Sequence, residues 1–267
     1  SEDNDLMLRY SFQLGADSAY ADRSGTAPEP SAPAEPGIEF LCDPALEGRL
    51  PAPERASRFM PDWFKSLERE MGMRDPNGLP GLTVKACLPV TDAFTLGWII
   101  PLPVTVQLTV PEDRVNIQAQ WPADAPFQPL EQHHPGQIGA PNPPFERTMP
   151  LKWMNPWRIR VPEGYSVLFT QPFNHFQLPF TCFTGLVDCD QFLPAVNFPF
   201  AWTGAPGEHT LPAGLPMIQA IPISRPGLIK QEQVRPASDA EWRAQAEAHE
   251  RKHSEESVYR REWRERK

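Results

Sequence analysis

Cysteine is scarce and scattered. The chain has four in 267 residues, Cys42, Cys87, Cys182 and Cys189, with no CxxC pair and no ribbon-like spacing, so neither a disulfide framework nor a thiolate zinc site is expected. Reduced thiols in a cytoplasmic setting are the expectation. Long apolar runs are missing as well. The longest, Leu96 to Val104, is cut by Pro101 and Pro103, far short of the roughly 20 apolar residues of a membrane-spanning helix. The opening Ser1-Glu2-Asp3-Asn4-Asp5 lacks the basic and apolar regions of a signal peptide, so no membrane partner is expected. Positive charge is in deficit: 25 Lys and Arg stand against 34 Asp and Glu, a net charge of −9. General nucleic-acid binding needs clustered cations on phosphates, and this balance argues against it. No GxSxG, HExxH, P-loop or GxGxxG occurs, which leaves serine hydrolase, zincin and Walker chemistry without support.

Proline is abundant instead. The 34 prolines make about 13% of the chain, against about 5% in an average protein. Each costs about 3 kcal/mol in a helix interior, so they belong in turns, strand ends and edge strands, and a mostly helical protein is excluded. An apolar fraction of 40% still provides a hydrophobic core. Alternation and short apolar runs predict strands at 38–42, 82–88, 104–110, 115–121, 157–161, 166–170, 179–187, 196–202 and 217–223. So many short strands between Pro and Gly turns predict a mainly β fold, a jelly roll, barrel or sandwich. One short N-terminal helix is expected at 61–71, with Pro61 at its first position, Trp63, Phe64, Leu67 and Met71 on one face, and Gly72 as its stop.

Three regions follow. Residues 1–37 read as a short strand, with Leu8, Tyr10, Phe12 and Leu14 alternating, and a solvated Pro-rich connector. Residues 38–236 form the β-rich core domain, including a long proline-rich loop at 122–149 of the kind that often carries function. Residues 237–267 form a charged helix opened by a Ser238/Glu241 capping box, either solvated or crossing to a neighbouring subunit. Two turns share one shape: Val161-Pro162-Glu163-Gly164-Tyr165 and Leu211-Pro212-Ala213-Gly214-Leu215 each preset a bend with proline and place glycine where φ turns positive.

Four stretches, in order, resemble the core of the dUTPase and dCTP deaminase superfamily. Thr91-Asp92-Ala93-Phe94-Thr95-Leu96-Gly97-Trp98 looks like its early strand, Pro162-Glu163-Gly164-Tyr165 like its Pro-x-Gly-Tyr turn, Gly185-Leu186-Val187-Asp188-Cys189-Asp190 like its Gly-Val-Ile-Asp-x-Asp strand, and Gly214-Leu215-Pro216-Met217-Ile218-Gln219 like its closing strand. The resemblance covers roughly residues 83 to 224. It implies a dUTPase-like fold, a homotrimer, a sugar-holding and water-orienting role for Asp188, and ligand contacts from Gln219 and from Phe192. Where that family carries its phosphate-binding arginine run, this chain has Gln171-Pro172-Phe173-Asn174-His175. The whole chain also resembles a set of uncharacterised bacterial and phage proteins classed as a domain of unknown function, through Thr83-Val84-Lys85-Ala86-Cys87-Leu88-Pro89 and Lys152-Trp153-Met154-Asn155-Pro156-Trp157.

Two constellations carry chemistry. Asp188 and Asp190 share parity, so on a strand both carboxylates face one way about 7 Å apart, able to bind a hard cation or share a proton. The competing reading is a turn pair at a strand end. His133 and His134, with Glu131 nearby and His175 and His209 elsewhere, are the residue types of non-haem iron and zinc sites, which use two or three imidazoles and a carboxylate. A surface His-His-Pro turn is the alternative. Aromatic residues around Trp157 and Phe173 line either a ligand pocket or the core. The expected function is an enzyme acting on a small-molecule substrate, by metal-dependent oxidation with Fe or Zn or by nucleotide hydrolysis with Mg. The alternative is a non-catalytic assembly or ligand-binding module, such as a phage-type structural protein.

Overall fold

Scarce backbone donors keep the strands short. The computed structural model describes residues 37–140, 142–145 and 149–254, and the strand expected at 8–14 and its connector lie outside the described residues. The strands are β1 (Glu39–Leu41), β2 (Glu54–Arg55), β3 (Glu70–Arg74), β4 (Pro80–Leu82), β5 (Trp98–Pro101), β6 (Val106–Val110), β7 (Gln118–Gln120) and β8 (Leu130–Gln132). They continue with β9 (Leu151–Trp153), β10 (Arg158–Arg160), β11 (Tyr165–Thr170), β12 (Phe180–Cys182), β13 (Gly185–Val187), β14 (Phe198–Trp202), β15 (Gly207–Leu211) and β16 (Pro216–Ser224). Three helices accompany them: α1 (Asp62–Ser66), α2 (Leu88–Thr95) and α3 (Asp239–Ser254). The chain is therefore mainly β, as its prolines require.

The strands pair antiparallel in open sheets of order β13-β11-β16-β5-β2, β12-β14-β9-β8 and β15-β6-β7, with two further pairs, the long-range β1-β10 and the local β3-β4. No sheet among the described residues closes into a barrel, which corrects the barrel form of the expectation. Side chains from the three larger sheets share one core. In β6, Val106, Leu108 and Val110 point inward while Gln107 and Thr109 face out, the alternation of a half-buried strand. In β16, Met217 through Ile221 are all buried, so this strand is covered on both faces. Trp153 stacks on Phe200 at 4.3 Å and meets Phe180 edge-on at 5.3 Å. The aromatic density is largely core.

Several expected elements differ. The helix at 61–71 stops after one turn because Leu67 is extended, and the chain beyond it bonds to Thr83 instead of to itself: Thr83 N–H donates to Arg69 O at 2.9 Å and its hydroxyl to Glu68 O. The strand at 82–88 is replaced by a 3-10 turn over Val84–Ala86, capped by Thr83 Oγ1, and then by α2 with Pro89 in its first turn. That helix also occupies most of Thr91 to Trp98, where the family resemblance places a strand. The run 179–187 divides between β12 and β13, which lie in different sheets. Both Pro-x-Gly turns form as read: Gly164 has φ 84 and Gly214 φ 89, and Tyr165 N–H and Leu215 N–H donate back to Pro162 O and Pro212 O. The Ser238/Glu241 capping box at α3 is also in place. Among the described residues no helix is long and apolar enough to cross a membrane.

One buried amide joins these parts. Gln219, 1% exposed in β16, donates from Nε2 to Ala93 O at 3.1 Å and to Leu96 O at 2.6 Å, while its Oε1 accepts Phe173 N–H at 2.8 Å. The resemblance gives Gln219 a ligand to hold; here its amide instead fixes the end of α2 and the loop after β11 onto the sheet. Gly97 lets the chain turn directly over that strand, since a Cβ there would lie 2.3 Å from Ala220 O. Gln219→Met keeps the volume and leaves three partly buried backbone groups without this partner, so it is expected to lower stability by about 2 to 5 kcal/mol in urea unfolding. A loss under about 1 kcal/mol would show that the amide is not the clamp.

Candidate functional site

The Asp188/Asp190 pair lies where β13 ends. Val187 is the last strand residue, and the chain turns over Cys189 to Gln191, closed by Gln191 and Phe192 N–H groups donating to Asp188 O at 2.9 and 2.8 Å. This is the turn-pair geometry. Both carboxylates nevertheless reach one partner, Arg225, just beyond β16. Arg225 Nη1 donates to Asp190 Oδ1 at 3.0 Å, and Nη2 to Asp190 Oδ2; Nη1 also lies 3.4 Å from Asp188 Oδ1. The same guanidinium donates to Tyr165 O at 2.7 Å and Ser166 Oγ at 3.2 Å. Ser166 Oγ in turn donates to Asp188 Oδ1 at 2.6 Å, and Gly164 N–H donates to Asp190 Oδ2 at 2.9 Å.

The two carboxylates have different fates. Asp190 has a 2% exposed side chain, and its pKa falls to about 2, chiefly through the Arg225 hydrogen bond, helped by Gly164 N–H. It stays ionised and bound through the physiological range. Asp188 is 60% exposed. Two carboxylates around one guanidinium leave a single excess negative charge, so the arrangement is an ion-pair clamp more than a proton-sharing dyad. Sequence reasoning missed Arg225 altogether. Its signal was weak, a lone arginine before Pro226-Gly227, 35 residues from Asp190.

The histidines occupy separate elements. His133 follows β8 and bonds through its backbone to Pro150 O; burial, with Lys152 and His134 nearby, lowers its pKa. His134 is an exposed cap: its Nδ1 accepts Gly136 N–H at 3.1 Å while Gln137 Oε1 accepts His134 N–H. Glu131 is paired with Lys152 at 3.0 Å. His175 is buried edge-on against Phe94 in the loop after β11, and His209 lies on β15. Among the described residues no three His, Cys, Asp or Glu side chains come together as a metal ion requires. Among the described residues the four named histidines lie on separate elements or diverge, and Asp188 and Asp190 both pair with Arg225.

Phe192 is half-exposed beside the Asp188 turn, and Trp157 packs on the core, its backbone bracketed by Asn155. Neither is joined to the Asp pair by any hydrogen bond of its side chain. A surface cleft of about 590 Å³ lies elsewhere, between the loop after β11 and β15, lined by Phe176, Gln177, Leu178, Thr203, His209 and Thr210 among others. His209 Nε2 donates to Ala205 O at 2.8 Å, since a carbonyl only accepts, and this leaves Nδ1 as an acceptor. Its ring meets Trp202 edge-on at 4.8 Å.

Comparison with known proteins finds no matching family model, no matching curated protein and no matching solved structure.

Burial pushes His175 down to about 4, from an ordinary value of about 6.5. The unfolded chain therefore takes up the proton first, so stability is level above about pH 6.5 and falls by about 3 kcal/mol as pH drops towards 4. His175→Phe is expected to flatten this part of the profile, measured by urea unfolding at pH 7.5 and 4.5. An unchanged difference between the two pH values would place the titration elsewhere.

Proposed function

We propose that the chain is a non-catalytic, self-assembling β module, a homo-oligomer in which each copy's C-terminal arm seats on a neighbouring copy. The observation that carries this reading is residues 226–252, 27 in all, of which every one except Ala248 is exposed. Ile229 and Val234 are over nine-tenths exposed and Trp242 is 65% exposed. Large apolar side chains left in water forgo about 1.5 to 3 kcal/mol each, and a helix of this length with an exposed surface is marginal alone. A second protein surface removes both penalties.

The arm's root is fixed. Arg225 is locked to Asp190, and its N–H donates to Gly164 O at 2.8 Å, so the arm leaves the body at a defined point. Charges along 226–252 balance, five basic against five acidic, which favours a mixed protein surface over a phosphate backbone or an anionic lipid layer. A second copy is the partner this favours, with the trimer of the family resemblance as the expected stoichiometry.

The enzyme reading, metal-dependent oxidation or nucleotide hydrolysis, draws on the exposed carboxylate of Asp188. Two measurements separate the readings. Light scattering after gel filtration is expected to give a multiple of 30.1 kDa for the full chain, and a monomer when residues 229–267 are removed or when Ile229→Asp and Trp242→Asp are combined. A full-length monomer, or an unchanged mass after truncation, sinks the assembly reading. Elemental analysis near one equivalent of Fe or Zn per chain, or a thermal shift with Mg-nucleotide, would return the enzyme reading to first place.

A further inference from the structure

We infer that the cleft between the loop after β11 and β15 binds an uncharged sugar ring, a neutral pyranoside. The inference stands apart from the arm, since its residues belong to the body of the fold. The cleft has the size of a small-ligand site, and none of its lining side chains is Lys, Arg, Asp or Glu. A phosphate or carboxylate would find no charge-assisted partner there. A purely apolar ligand would cover the polar side chains of Gln177, Thr203 and His209 without bonding them, which carries a desolvation penalty.

The polar groups are positioned, not loose. The Nε2 bond to Ala205 O and the contact with Trp202 fix the His209 ring, so its free Nδ1 acceptor has a set direction. Beneath lies Trp202, 6% exposed, whose indole N–H has no hydrogen-bond partner. The edge carrying that N–H lies under Gly204, a lining residue: a Cβ on Gly204 would be 2.7 Å from Trp202 Cζ2 and 2.9 Å from Cε2, the carbon bonded to Nε1. Glycine here brings backbone and indole into contact at the cleft floor. The fixed acceptor of His209 and the side chains of Thr203 and Gln177 therefore border one uncharged space.

Phe176 completes the match. It is 81% exposed at the cleft, backed by Trp63 at 6.0 Å, and it sits in a loop held by the Gln219 bond to Phe173 and by Asn174 at φ 62. An exposed aromatic face on a fixed loop is a stacking platform. A pyranose has an apolar C–H face for such a ring and a rim of hydroxyls for His209, Thr203 and Gln177.

Saturation-transfer NMR on the full chain with the methyl glycosides of glucose, galactose, mannose and N-acetylglucosamine, each at about 10 mM, tests this. At least one is expected to bind with a millimolar Kd, and glucose 6-phosphate to bind more weakly than methyl glucoside. Phe176→Ala, at an exposed position that leaves the core intact, and His209→Ala are each expected to weaken binding about tenfold. No transfer to any glycoside, binding unchanged in both variants, or a preference for uridine as a flat uncharged ligand would overturn the inference.

Discussion

Proline cannot donate a hydrogen bond, and in this fold side-chain amides take over the backbone's work. Gln171 behaves as one more strand residue: its Nε2 donates to Phe180 O at 3.0 Å and its Oε1 accepts Cys182 N–H at 2.8 Å, the two bonds a neighbouring strand would make to β12. Asn155 does the same across Pro156, accepting from Trp157 N–H at 3.0 Å and donating to Trp157 O at 2.9 Å, while Asn197 accepts Asn155 N–H. Gln219 completes the set. A buried carboxamide is tolerated only when its donors and acceptors are paired. These residues are therefore constrained as tightly as the apolar core, and a chain with 34 prolines can assemble sheets whose strands are mostly three to six residues long.

The same accounting explains the carboxylate pair. Arg225 directs its two Nη groups to two carboxylates, a carbonyl and a hydroxyl, with Nη1 shared among several of these acceptors. Lysine has neither the reach nor the geometry for this set. The clamp joins the turn before β11, the turn after β13 and the end of β16. Its cost in desolvation is offset because Asp190 also receives Gly164 N–H. The pair singled out in the sequence thus also takes part in fastening three strands.

Legibility in the sequence followed the range of the interactions. The β class came from proline content, the strand within 104–110 from its short apolar run, and the two Pro-x-Gly turns and the α3 cap from contacts within five residues, and all of these hold. The strand at Thr91 to Trp98 came from the family resemblance alone, whereas Leu88-Pro89 starts a helix there and Phe94 packs against Phe64 at 4.7 Å. The shortened α1 has a tertiary origin, since Thr83 competes for the backbone groups of Glu68 and Arg69. Of the candidate site, the turn pair at a strand end was legible, whereas the parity argument does not apply because Asp188 and Asp190 lie past the end of β13. The arginine that neutralises them was not legible, because nothing local marks a partner on another strand. The cleft around His209 was invisible for a similar reason: Phe176 and His209 are separated by β12, β13 and β14, and only the sheet order brings their loops to one surface.

Both surfaces put forward for function hang on β16. Gln219 near its middle fixes the loop that carries Phe176, and Arg225 just past its end roots the arm, so one strand positions two features that do not touch each other. The register of β16 against β5 shifts between Pro216 and Ile218, whereas its pairing with β11 runs unbroken from Gln219 to Ser224. A slip of one residue against β11 would exchange the two faces of the strand. It would turn the Gln219 amide away from Ala93 and Phe173 and carry Arg225 out of reach of Asp190. The clamps at Gln219 and Arg225 thus oppose the same error, one from each end of the pairing, and the strand's register is what makes the outer features of the molecule mutually consistent.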